Sequence, residues 1–178
     1  MKSHFSFAAM VGAVLLSFSA AASAQQATAP NPLDTIPDKM PFANPYGAPI
    51  SLAKAQAAVA AAAAEATSKG WPMNVAVYDS GANLVTFSRM DGAQLASIAI
   101  AEHKARVAVK YRRESKIFEN AVQQSHFDYI LSLDDIVASR GGIPLIEDGK
   151  IVGAIGCSGG TGSQDEAVCK VGAATINK

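Results

Sequence analysis

Two stretches decide the fold of this chain: Val75-Ala-Val-Tyr-Asp-Ser-Gly-Ala-Asn-Leu-Val-Thr-Phe-Ser-Arg-Met-Asp-Gly-Ala93 and Gly141-Gly-Ile-Pro-Leu-Ile-Glu-Asp-Gly-Lys-Ile-Val-Gly-Ala-Ile-Gly-Cys-Ser-Gly-Gly160. Each reads as strand, tight turn, strand, and then a polar glycine-rich corner that leads into a helix. In the first, Val75, Val77 and Tyr78 favour a strand over Met73 to Tyr78, Asp79-Ser80-Gly81-Ala82-Asn83 is turn chemistry, and Leu84 to Phe87 is a second short strand. In the second, Ile143 to Ile146 and Lys150 to Cys157 are joined at Glu147-Asp148-Gly149, where an Asp-Gly pair tolerates positive φ. Directly linked strands pair antiparallel, which excludes the all-parallel sheet of a dinucleotide-binding fold. Corners of this kind leave backbone N–H groups free beside a concave surface, where a small molecule can sit.

Working outward, Ser51 is placed as an N-cap, and Leu52 to Lys69 carries Leu52, Ala55, Val59, Ala62, Ala63 and Ala66 at helical spacing. Gly70 ends that helix and Trp71-Pro72 forbids its continuation. Its stripe is mostly alanine, so it can lie very close to a sheet or to another helix. Gln94 to Arg113 resumes helical spacing, with Asp91 placed where an N-cap belongs. Ser115 to Gln124 predicts a short helix capped by Ser115, Phe127 to Ala138 mixes helix and loop, and a last helix runs from about Ser163 to Thr175. The expected class is α/β (α+β), an antiparallel sheet flanked by helices in the order α-β-β-α-α-β-β-α.

Met1 to Ala24 reads as a secretory signal peptide: Lys2 starts it, Phe5 to Phe18 is apolar, and Ala22-Ser23-Ala24 fits the small-residue cleavage rule. The apolar run is short for a bilayer span, so no transmembrane anchor is expected after cleavage, and the location expected is periplasmic or secreted. Residues 25–50 form a proline-rich arm whose Met40, Phe42 and Tyr46 can fasten its last part to a surface. Residues 51–178 form one domain. The formal net charge is zero, which gives no electrostatic footprint for nucleic acid and favours a small-molecule ligand or another protein. The two cysteines, Cys157 and Cys169, either form a disulfide or serve as two small buried hydrophobes.

Several chemistries fail on spacing. Gly156-Cys157-Ser158-Gly159-Gly160 matches the nucleophile-elbow pattern, but no acid and then histidine follow it in the chain. The loop also lacks the dinucleotide fingerprint spacing, and no Walker A lysine is present. The reading that remains is a backbone nest at the edge of a ligand cleft, with the Ser158 hydroxyl and the Gly159 amide as donors.

The first stretch from Val77 to Ala93, then Ser97-Ile-Ala-Ile-Ala-Glu-His-Lys-Ala105, Gly141-Gly-Ile-Pro144, Gly153-Ala-Ile-Gly-Cys-Ser-Gly159 and Gln164-Asp-Glu166 together resemble the GlcG/HbpS-like haem-binding family, which is related to the C-terminal domain of the PduO corrinoid adenosyltransferase. The resemblance runs from about residue 51 to the C-terminus. It implies a profilin-like fold, self-association into a homo-oligomer, and haem or a related tetrapyrrole as cofactor, with haem degradation or sensing among the family's activities. No single activity is shared by all members, so binding is favoured over catalysis.

On that reading the iron needs a His, Met, Tyr or Cys ligand, and the propionates need cationic or amide donors. His103 is the metal-ligand candidate and His126 the lesser one; a half-exposed helix histidine is the bland account of His103. Arg89 suits a carboxylate bidentately, or else pairs with Asp91 or Asp79 to fix the corner. Met90 is placed in the core or at the ligand, Lys104 either covers apolar helix surface or reaches the site, and Asp91 with Ser158 and Gly159 completes the set. The competing function is a non-haem oligomeric accessory protein that binds a small carboxylate such as a 2-hydroxy acid.

Overall fold

The computed structural model describes residues 36–40, 42 and 44–177. The signal-peptide assignment and the start of the arm lie outside them. The chain divides at Asp38 and Lys39, and everything below concerns the unit from Lys39 onward.

Its order is α1 (Leu52–Lys69), β1 (Asn74–Asp79), β2 (Leu84–Arg89), α2 (Ala96–Lys110), α3 (Lys116–Ser125), a 3-10 helix (Asp128–Ser132), β3 (Gly142–Glu147), β4 (Lys150–Ser158) and α4 (Gly162–Ala173). This is the expected order, with the 3-10 turn inside the segment read as mixed. The strands form one four-stranded sheet in the order β2-β1-β4-β3, every pair antiparallel. Both turns follow from their residues. Asp148 and Gly149 take positive φ of 50° and 72°, as the β3–β4 hairpin requires. In the β1–β2 turn, Asp79 Oδ1 accepts from the backbone N–H groups of Gly81 and Asn83, each at 2.9 Å.

Alternation along the strands separates two faces. Val75, Val77, Ile155 and Cys157 face a cluster completed by alanines of α1 and by Val168, Cys169 and Ala173 of α4. Ala76 and Tyr78 meet Ala101 and Ala105 of α2 on the other face. The second face is built from small residues because α2 lies almost on the sheet backbone. A Cβ at Gly156 would stand 2.1 Å from the Ala101 carbonyl oxygen, and one at Gly142 would stand 2.1 Å from that of Lys104. Gly156→Ala is therefore expected to push α2 off the sheet and cost about 1–3 kcal/mol or more, read as a lowered thermal midpoint; an unchanged midpoint would show that α2 can retreat freely.

The alanine stripe of α1 has the use anticipated for it. At Gly172 of α4 a Cβ would lie 2.7 Å from the Ala58 carbonyl oxygen and 3.1 Å from Ala62 Cβ, so small residues let the two helices touch. Ser51 caps α1 through the Lys54 N–H, and Gly70 closes it in the left-handed region at φ 68°.

The end of the proline-rich arm is fastened to this unit. Pairing of β1 with β4 stops at Asp79 opposite Gly153, which leaves the start of β4 with an open edge. The arm fills it: the Ile151 N–H donates to Pro45 O, and the Gly47 and Ile50 N–H groups donate to Ile151 O and Val152 O, each at 2.8 Å. Tyr46 donates its hydroxyl to the last carbonyls of α2, and the Arg112 and Arg113 guanidinium carbons lie 4.4 and 4.8 Å from the Phe42 ring centroid. Met40, expected to help, is 72% exposed and does not fasten.

Cys157 and Cys169 form a disulfide with Cα atoms 5.6 Å apart, inside the usual range for a bridge. Both residues are fully buried, so the bridge welds the end of β4 to α4. Among the described residues no helix is long and apolar enough to cross a membrane.

Candidate functional site

The predicted site residues lie at both ends of the α2 layer, and only some of them meet. Arg89, the last residue of β2, is opposite Asn74, the first of β1. Asn74 is opposite Ser158, the last of β4. Residues directly opposite in antiparallel strands project to the same face, and two-residue alternation puts this row on the side of Ala76, the side covered by α2. Arg89 is exposed, whereas Asn74 is fully buried and Ser158 is 4% exposed. The row thus runs from solvent to interior along one end of the sheet.

Above it, the corner from Met90 to Leu95 carries the chain from β2 to α2. The Met90 N–H donates to Met73 O at 3.0 Å, and the partly buried Met90 side chain packs against the core facing α1 and α4, the first of the two placements considered for it. Asp91 is not the N-cap of α2. The helix begins only at Ala96, preceded by Leu95 in helical conformation, and no side chain caps it; Gly92 at φ 80° turns the chain first, and Asp91 stays exposed. Neither Asp91 nor Asp79 pairs with Arg89 among the described residues, so the ion pair considered for that corner is not made. Ser115 holds the expected N-cap position of α3 but makes no side-chain capping bond: its hydroxyl donates to Ser139 O and accepts from the Gly142 N–H, both at 2.8 Å, tying α3 to β3 instead.

Lys104 is drawn into the interior and does not lie over helix surface. Its side chain is 1% exposed and its ammonium lies 2.6 Å from Asp165 Oδ2 and 3.2 Å from Cys157 O. Burial pulls its pKa below the usual lysine value, and the charge and hydrogen bond of Asp165 oppose that shift. The other oxygen of Asp165 accepts from the Gly159 and Gly160 N–H groups, each at 3.0 Å. The nest expected to cradle a ligand is therefore filled by the protein's own carboxylate. Gly159 has a packing reason to be glycine, since a Cβ there would stand 2.2 Å from Pro72 O. Lys104, Asp165 and the disulfide form one clamp that fixes the loop just beyond Ser158.

His103 is half-buried on α2, on the side that looks away from the sheet. It stands in the neighbourhood of Asp135, the residue that pairs with Arg106 and Lys110 further along the same helix. His126 ends α3 in the left-handed region and is exposed. A cavity of about 260 Å³ lined by Lys54, Ala57, Glu147, Asp148, Thr175 and Ile176 opens at the opposite end of the domain. It falls short of the usual 300–1,000 Å³ of a ligand cleft, and none of the predicted residues lines it.

Residues 50–174 match the family of haem degrading proteins described as HbpS-like. The chain belongs to the HbpS-like family. It is 37% identical over 109 residues to Protein GlcG of Escherichia coli K12, an alignment that covers 61% of this chain and 81% of the relative. A crystal structure of HbpS superposes with a TM-score of 0.69 at 28% identity, covering 74% of this chain and 93% of that one. A crystal structure of a PduOC:heme complex superposes with a TM-score of 0.66 at 26% identity, covering 72% and 96%. The match takes in both hairpins, α2 and α4, hence the whole end of the sheet described above.

In this HbpS-like chain, reading residues singly picked out Arg89, Ser158 and Gly159 but missed Asn74, Ser97 and Asp165. Ser97 and Asp165 sit inside quoted motifs. The signal available for them was polarity at positions whose helical neighbours all face a core: Ser97 with Ala101, Ala105 and Ala108, and Asp165 with Val168 and Cys169.

Proposed function

We propose that this chain is a secreted or periplasmic tetrapyrrole-binding protein that takes haem at the α2 side of the sheet, in the service of haem storage, sensing or breakdown. The observation that carries the reading is the Arg89 end of the sheet, where an exposed guanidinium with no ion-pair partner among the described residues stands beside buried polar groups. That is the donor set a ligand carboxylate requires, and it lies within residues 50–174, the part of the chain that matches the HbpS-like family. Iron ligation falls to His103, whose imidazole makes no hydrogen bond among the described residues; the neutral ring is the ligating form. When bound, haem iron supplies redox and oxygen chemistry, while the chain binds and orients it. A buried disulfide fits an oxidising compartment, in accord with the signal-peptide reading, and self-association follows the family.

Hemin titration of the purified full chain, followed in the Soret region, tests this. The expected result is a saturable shift that His103→Ala alters in position or amplitude. Absence of any shift with the unmodified chain removes the haem reading. The small-carboxylate reading keeps one observation in its favour: the Arg89 guanidinium, without an ion-pair partner among the described residues, meets the needs of a carboxylate with or without a macrocycle attached.

A further inference from the structure

Two polar atoms beneath the first turn of α2 have no partner. Asn74, fully buried, donates its amide to Gln94 O at 3.3 Å, which leaves Oδ1 as an unengaged acceptor. Ser97, also fully buried, has a hydroxyl without a hydrogen bond. The Ser97 backbone N–H donates to that same Gln94 carbonyl at 3.2 Å, so the two residues meet at one carbonyl beneath the corner. Ser158 adds a third hydroxyl from the neighbouring strand, and Arg89 closes the row on the solvent side.

Buried polar groups are almost always satisfied, and each exception calls for a reason. Packing alone gives none here, because alanine at position 97 would fill nearly the same volume without the loss. The surroundings select a charge. Arg89 is cationic, and α2 begins without a side-chain cap, so the positive end of its dipole faces the same space. Asp91, two residues beyond Arg89, is exposed and does not neutralise it. A group that accepts from a guanidinium and a hydroxyl, and is attended by a donor for Asn74 Oδ1, completes every unmet valence.

We infer that the space between Arg89, Asn74 and Ser97 is a carboxylate-binding subsite, in which Arg89 and the Ser97 hydroxyl donate to the ligand carboxylate and Asn74 Oδ1 accepts from an accompanying hydroxyl or water. This rests on the reading of that end of the sheet as the ligand site and adds the class of group it takes. A haem propionate and a small organic acid share that chemistry, and the probes below separate them. The corner from Met90 to Leu95 covers the space, so entry requires it to shift. Among the described residues its hydrogen bonds to the start of β1 and the residue before it are Met90 to Met73 and Asn74 to Gln94.

The experiment compares the full chain with Arg89→Met, Arg89→Lys and Ser97→Ala, using hemin, hemin dimethyl ester and acetate as probes. Hemin affinity is expected to fall about tenfold or more in Arg89→Met and to recover in part in Arg89→Lys, since one charge-assisted hydrogen bond is worth at least that factor. The dimethyl ester should bind the unmodified chain as weakly as hemin binds Arg89→Met. Acetate should raise the melting temperature of the unmodified chain by mass action and leave that of Arg89→Met unmoved. Ser97→Ala supplies a readout that a structural role would not give: without ligand its melting temperature should equal or exceed the parent's, while hemin and acetate both bind more weakly. If hemin gives no Soret shift but acetate protects the unmodified chain and not Arg89→Met, the subsite stands and the haem reading fails. If hemin binds all variants and its dimethyl ester equally and acetate has no effect, the subsite is overturned and the haem reading survives. A lowered melting temperature in unliganded Ser97→Ala also overturns it.

Discussion

Asp165→Ala should be the most damaging single substitution in the domain, with an expected loss of about 3–5 kcal/mol of folding stability. The carboxylate is 2% exposed and serves three donors, the Lys104 ammonium and the Gly159 and Gly160 N–H groups. Removing it strands a buried ammonium and takes the acceptor from two part-buried amides. Lys104→Met should cost less, because the two glycine amides still serve the Asp165 carboxylate. The double variant Lys104→Met with Asp165→Ala should lose less than the sum of the singles, since neither is then left as an uncompensated charge. Denaturant midpoints followed by circular dichroism measure all three. An Asp165→Ala loss below about 1 kcal/mol, the ordinary value of an exposed ion pair, would mean that the clamp is not holding the loop.

The disulfide is the second large term. Its partners are 12 residues apart, and closing a loop of that size in the unfolded chain is worth about 3 kcal/mol. Replacing both cysteines with alanine, or reducing the unfolded chain and refolding it under reductant, should lower stability by that amount while leaving the sheet order intact. Full burial of both cysteines further predicts that the native bridge resists reductant until the domain opens. Rapid reduction of the native protein, followed by mass after alkylation, would contradict this. The two predictions are coupled in space, because the Lys104 ammonium bonds to the Cys157 carbonyl. The losses from Asp165→Ala and from the missing bridge should therefore not add.

The hairpins were legible because their turns carry residues chosen by backbone conformation, Asp148-Gly149 above all, and because the order of hairpin and helix permits only an antiparallel sheet. The first helix was equally plain, with Ser51 before it and Gly70 after it. Helix starts were read less well where the N-cap rule met a competing use of the same residue. Asp91 precedes a glycine turn that delays α2 to Ala96, and Ser115 spends its hydroxyl on β3 and on the segment before it. The site was half legible for a related reason. Arg89 and Ser158 lie in conspicuous glycine-rich corners, but Asn74 and Ser97 become a site only when strand register and the rotation of α2 bring them under one roof. Lys104 shows the converse. A lysine in an alanine-rich helix looks available for a ligand until Asp165, 61 residues later, claims it.

The central claim is a location: the ligand sits at the end of the sheet where β2, β1 and β4 begin or finish beneath α2. Paramagnetic hemin broadens nearby amide resonances, so a titration of the isotopically labelled full chain with substoichiometric hemin, read in amide correlation spectra, tests it most directly. The amides of α2 around His103, with those of Arg89 to Gln94, Asn74 and Ser97, should weaken first, and those of Asp148, Thr175 and Ile176 around the opposite cavity should persist. Broadening centred on Asp148, Thr175 and Ile176, or no selective broadening at all, would contradict the account.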